Sequence, residues 1–164
     1  MGLIKKSINS MSAMGFALKL LGFRSHSRKE LEQKLLKKGY SAESIEQVVE
    51  KLTGLGLMDD RMFGIELIKS RSRRKPSGKL KIRMELRKKG VSDSIIGDLL
   101  KDYDSAELCY RAAEKKIGLL RGATDEMRKK KLEVFLYNRG FEWHDIQSVI
   151  TRLFKGLTNV EDIG

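Results

Sequence analysis

Histidine, cysteine, proline and aromatic residues are all scarce in this sequence, and each scarcity removes a class of function. With two histidines, His26 and His144, and the single Cys109, no pair of candidate ligands stands at metal-binding spacing. We expect no metal, and read both histidines as surface or capping residues. One cysteine cannot close an internal disulfide, which suits a reducing, cytoplasmic setting. Proline occurs once, at Pro76. Lys, Glu, Leu, Arg and Met dominate instead, residues that lose little on entering a helix, so the composition predicts an all-α fold.

Long apolar runs are missing as well. The stretch from Met11 to Phe23 is interrupted by Lys19 and falls short of the ~20 residues a bilayer requires, so no membrane span is expected and the chain reads as soluble. The first 26 residues hold Lys5, Lys6, Lys19 and Arg24 and no acidic residue. A transit peptide is one reading of that, an ordinary basic tail the preferred one. Lys6 stands where a myristoylation signal needs Ser or Thr.

Catalytic signatures are absent in the same way. There is no phosphate-binding glycine loop, no dinucleotide fingerprint, and no serine or cysteine in a recognisable nucleophile context. Acidic residues such as Glu43, Glu46 and Glu50 sit at helix-surface spacing among basic ones. The expectation is therefore a binding protein rather than an enzyme, without a cofactor. Aromatics make up 7% of the chain, and none lies between Gly64 and Asp102, so a base-stacking platform finds no support there. Tyr40, Phe63, Phe135, Phe141 and Trp143 are expected in the core.

Positive charge is abundant, with 34 Lys and Arg against 22 Asp and Glu for a net +12. Most of the excess falls between residues 69 and 89, where Lys69, Arg71, Arg73, Arg74, Lys75, Lys79, Lys81, Arg83, Arg87, Lys88 and Lys89 face a single acid, Glu85. Lys79, Arg83 and Arg87 recur every four residues on one helix face, opposite Ile82 and Leu86. Such a density suits phosphate or an acidic protein surface. Lys69, Arg71, Arg73, Arg74, Lys75, Lys79, Arg83, Arg87 and Lys88 are thus the candidate contacts, with Arg28, Arg139 and Arg152 next.

The chain also repeats itself. Segments beginning at Leu31, Ile82 and Leu132 align without gaps on Gly39, Gly90 and Gly140. Leu35, Leu86 and Leu136 precede these glycines by four residues, while Ile45, Ile96 and Ile146, then Val49, Leu100 and Ile150, follow at matching distances. Apolar residues at this spacing share one helical face. The glycines read as left-handed helix ends and Ser41 and Ser92 as caps of the helices beyond, with Glu142 a poorer cap. Ser27 with Glu30 and Asp104 with Glu107 form capping boxes, opening helices over 28–38 and to about Leu120, and Asp59 and Asp60 open another towards Arg74. A period of ~50 residues predicts tandem helical units. We place a tail at 1–10, an N-terminal helix at 11–26, units at 27–75, 77–122 and 125–157 (the last shortened), and a tail at 158–164.

The stretches SHSRKELEQKLLKKGY, GLGLMDDRMFGIELIKSR, GKLKIRMELRKKGVS and LYNRGFEWHDIQSVI together resemble the RecX family, regulators of the RecA recombinase, over about Phe16 to Phe154. Gly64 stands where the family pattern has a small alanine. The resemblance implies tandem three-helix repeats forming an elongated curved module that lies in the groove of the RecA filament and limits its growth, ATP hydrolysis and strand exchange, and we expect a monomer. The DNA phosphate backbone is a possible second contact. A non-specific DNA-binding helical protein independent of RecA is the competing reading. The repeat alignment carries its own test: Leu35→Ala and Leu86→Ala should each cost ~2–5 kcal/mol in denaturant unfolding, and values near zero at both would dissolve the repeat.

Overall fold

The computed structural model describes residues 11–155; the tails placed at 1–10 and 158–164 lie outside the described residues. The described residues form nine helices and no strand: α1 (Ala13–Phe23), α2 (Arg28–Lys38), α3 (Ala42–Gly54), α4 (Asp60–Arg74), α5 (Lys79–Lys88), α6 (Asp93–Leu100), α7 (Ser105–Ile117), α8 (Asp125–Asn138) and α9 (Trp143–Lys155). Side-chain caps start most of them. Ser41, Ser92 and Asp104 accept from the N–H groups of Ser44, Ile95 and Glu107, satisfying donors that the first turn leaves free. The capping box at α2 is only half formed. Ser27 accepts from the Glu30 N–H at 3.1 Å, while the Glu30 carboxylate turns away to Arg24 and Lys89. Helix α7 stops at Ile117, three residues before the expected end, where Gly118 caps it and Leu119 and Leu120 bond back to Lys116 and Ile117 in a tightened turn.

One helix ending recurs three times. Gly39, Gly90 and Gly140 take φ values of 102°, 85° and 78°. The N–H groups of Tyr40, Val91 and Phe141 then reach back to the carbonyls of Leu35, Leu86 and Leu136 at 3.1–3.3 Å. These three leucines are fully buried, and each packs below the residue that closes its turn, so apolar contact and backbone bond fix the ending together.

Packing groups the helices from a different starting point than the glycine count of the sequence. Helix α1 lies on α2 and α3, α4 and α5 both lie on α6, and α7, α8 and α9 pack mutually. The N-terminal helix therefore completes a first unit instead of standing outside the array, because Ala13 and Ala17 share a core with Leu31, Leu35, Ile45, Val49 and Leu52. A second, larger core runs without a break from Phe63 of α4 through Ile82, Leu86 and Ile96 to Leu132, Phe141, Ile150 and Phe154. The second and third units thus share one interior while the first has its own. Of the aromatics expected inside, Phe63 and Phe141 are buried, but Trp143 is 60% exposed. It occupies the first position of α9, ahead of the Ile146–Val149–Ile150 face.

Successive units meet at the repeated glycines. A Cβ on Gly90 would stand 2.7 Å from the Lys29 side chain, and one on Gly140 2.6 Å from the Lys81 backbone nitrogen, whereas at Gly39 it would meet nothing. Gly78 has an ordinary φ of −76°, yet its Cβ would lie 2.0 Å from the Gly140 carbonyl oxygen. Gly39→Ala should accordingly cost only the ~1–2 kcal/mol of left-handed strain, and Gly140→Ala distinctly more, since backbone must also move. Equal losses for the two in urea unfolding would show that the joint yields.

Candidate binding face

The two joints between units are built differently. Between the second and third, Pro76, Ser77 and Gly78 are buried. Gly78 N–H donates to the Arg139 carbonyl at 2.9 Å, Arg139 reaches the Pro76 carbonyl at 3.2 Å, and the Tyr103 hydroxyl donates to the Ser77 carbonyl. The segment that the sequence marks as a break is thus an internal splint. Between the first and second units the contacts are polar. Ser27 Oγ donates to the Lys89 carbonyl at 2.6 Å, the Arg28 N–H donates to Asp60 at 2.8 Å, and Glu30 pairs with both Arg24 and Lys89.

Glu30 is nearly enclosed, with a side chain 8% exposed. Burial works to raise its carboxyl, but the hydrogen bonds from Arg24 and Lys89 outweigh burial and hold it at about 2, well below the usual 4.5. His26, four residues before it, is buried rather than at the surface. Its Nδ1–H donates to the Arg24 carbonyl and its Nε2 accepts from the Lys34 ammonium, both at 2.9 Å, and burial lowers its pKa.

The charged stretch follows from this frame. Ile82 and Leu86 of α5 are fully buried, so helical geometry puts Lys79, Arg83 and Arg87 on one flank and Lys81, Glu85 and Lys88 on the other. Leu80 and Met84 point outward between the flanks, 44% and 70% exposed. The stretch is therefore two basic flanks about an apolar strip, not one stripe. Part of its charge is engaged at home: Arg71 is bidentate on Glu85, with one contact at 2.9 Å, Arg87 bonds Asp93 at 2.6 Å, and Lys89 holds Glu30. Lys69, Arg73, Arg74, Lys75, Lys79, Arg83 and Lys88 form no ion pair among the described residues. Lys69, Arg73, Arg74, Lys75 and Lys88 are exposed, Lys79 and Arg83 half-buried.

The three reserve arginines are all occupied. Arg28 pairs with Glu32, Arg139 clamps Pro76 above the Phe135 ring, and Arg152 stacks on Tyr110 at 4.0 Å. The fold also delivers what the local sequence lacks. Tyr137, at the end of α8, is 68% exposed and lines a groove with Leu80, Met84, Lys81 and Lys88. No described residues cluster as a metal site, and no described helix is long and apolar enough to cross a membrane. Cys109 is buried, which pushes its thiol up to about 12 and leaves it unreactive.

Family models describing the first, second and third three-helix domains of RecX match residues 13–52, 59–100 and 102–150. These spans group α1–α3, α4–α6 and α7–α9, as the packing does. The chain is 65% identical over 145 residues to the regulatory protein RecX of Pelodictyon phaeoclathratiforme, covering 88% of this chain and 91% of that one. It is 34% identical over 155 residues to that of Clostridium tetani, covering 92% and 71%. The crystal structure of RecX from Lactobacillus salivarius superposes with a TM-score of 0.74 at 26% identity, over 86% of this chain and 94% of that one.

The polar joint makes a pH prediction. Glu30, depressed in the fold, contributes stability that is present above its unfolded value near 4.5 and lost as pH falls towards about 2. His26, also lowered from 6.5, favours folding while neutral, and that share declines as pH drops below its unfolded value. Chemical unfolding at a series of pH values should show Glu30→Gln less stable than the parent at neutrality. The gap should close on acidification, and a pH-independent gap would rule out the ion pairs as its source.

Proposed function

The chain belongs to the RecX family, and from that membership we propose that it regulates RecA by binding the recombinase filament on DNA, with the α4–α5 basic residues forming the main contact. The observation that carries this reading is the set of charges left unpaired by the fold. Eight basic residues from Lys69 to Lys88, Lys81 among them, form no ion pair among the described residues, while their neighbours Arg71, Arg87 and Lys89 are each matched to an acid. A folded chain gains nothing from concentrating so much like charge unless an anionic surface meets it. The tandem array supplies a series of similarly built faces, a geometry suited to tracking a helical polymer. The protein itself acts by occupancy and not by catalysis, as a cytoplasmic monomer.

The purified chain should hydrolyse no ATP and should depress the DNA-dependent ATP hydrolysis of its cognate RecA. Stimulation, or no effect at saturation, would remove the reading. Charge reversal at Lys79 and Arg83, sparing Arg87 because it also holds Asp93, should leave the helical spectrum intact. It should weaken filament association by well over the ~1 kcal/mol of an exposed ion pair. Where duplex phosphate is part of the contact, each lost charge should lower the slope of log affinity against log salt by ~0.9. An unchanged slope with reduced inhibition would place the contact on RecA protein alone.

A further inference from the structure

The grooves at the two joints occupy equivalent places in the repeat but have opposite chemistry. At the first joint the outward face of α2 presents Lys29, Gln33, Lys34 and Lys37 beside the end of α5. At the second joint, Leu80 and Met84 of α5 take the places of Lys29 and Gln33 in the glycine alignment, and Tyr137 takes that of Arg87. These three are 44%, 70% and 68% exposed and line one groove, with Lys75, Lys81 and Lys88 around them. Its one carboxylate, Glu85, is neutralised by Arg71.

We propose that this α5–α8 groove is a docking site for an acidic, amphipathic helical segment of a protein partner. Three adjoining large apolar side chains ringed by cations have the make-up of a binding hot spot, an aromatic and aliphatic centre within a charged rim. Methionine adapts to the shape of an inserted side chain. A helix with apolar residues at i, i+3, i+4 and i+7 fills such a groove, and carboxylates along its edges meet Lys75, Lys81 and Lys88. The inference is independent of which protein carries the segment. A single-stranded nucleic acid fits less well, because successive bases need successive aromatic faces and Tyr137 is the one aromatic side chain among the described residues lining this groove. A second copy of the chain, placed symmetrically, brings the same lysines against themselves.

The test uses the full chain and a fluorescein-labelled leucine–glutamate peptide with leucines at that spacing, read by anisotropy. Lysine-for-glutamate peptide and labelled oligothymidine serve as the other arms. The glutamate peptide should bind, and the lysine peptide should not. Because the three apolar side chains are exposed, Leu80→Ser with Met84→Ser and Tyr137→Ser should keep the helical spectrum and lose the peptide by roughly 30-fold or more. Lys75→Gln with Lys88→Gln should weaken it several-fold, and Lys34→Gln with Lys37→Gln at the first joint should leave it unchanged. No peptide binding, or binding indifferent to the serine substitutions, overturns the proposal. So does oligothymidine binding that depends on Tyr137 in place of peptide binding, or a dimer in sedimentation that the serine substitutions dissolve.

Discussion

A carbonyl left over at a helix end organises this molecule. Each unit's second helix closes on a left-handed glycine, and the residue just before that glycine has a carbonyl that the helix itself does not use. In both joints the preceding unit supplies the donor. Ser27 Oγ bonds the carbonyl of Lys89 and Gly78 N–H bonds that of Arg139. The approach needed to make these bonds leaves no room for a Cβ at Gly90 or Gly140. Helix termination, satisfaction of a buried acceptor and the stacking of units are therefore one constraint seen at three scales, and the apolar cores form around the geometry it imposes.

Much of this was legible in the sequence because it depends on local periodicity. The spacing of Leu31, Leu35, Ile45 and Val49 and their counterparts places the buried faces, and the glycines mark the turns. The frame of the units was not legible. Helix α1 has no repeat signature, and only its packing through Ala13 and Ala17 reveals it as part of the first unit. Nor could a linear reading tell that Lys-Pro-Ser-Gly at residues 75–78 is mostly enclosed, since a polar segment with proline ordinarily signals an exposed linker. His26 escaped for a similar reason. Its two partners are a carbonyl and an ammonium, neither of which leaves a motif.

The candidate binding residues were found by counting charge, and the structure divides that count by geometry. Arg71, Arg87 and Lys89 are tied to Glu85, Asp93 and Glu30, pairs that join α4 to α5, brace α5 at the start of α6, and tie α5 to the first unit. Arg73, Arg74 and Lys79 have no such task. Composition alone cannot make this distinction, because the acids responsible lie up to 59 residues away. Tyr137 escaped the sequence reading likewise, being brought beside Leu80 and Met84 by a joint between units and not by proximity along the chain.

Helix α8 departs from its two counterparts at its beginning. It has 14 residues where α2 and α5 have 11 and 10, and aligned on the glycines the excess is a turn at its beginning. Arg128 therefore falls where Ser27 and Gly78 stand in the earlier units, but its N–H is already committed to Thr124 within the helix at 2.9 Å. Its guanidinium lies over Phe154 of the final helix, 5.8 Å from the ring centre. The backbone donor that Gly78 offers to a neighbouring helix end is here used within the helix itself. A single additional helical turn thus converts the position that joins one unit to the next in α2 and α5 into an interior position of α8, whose side chain serves its own unit's core instead of a neighbour's helix end.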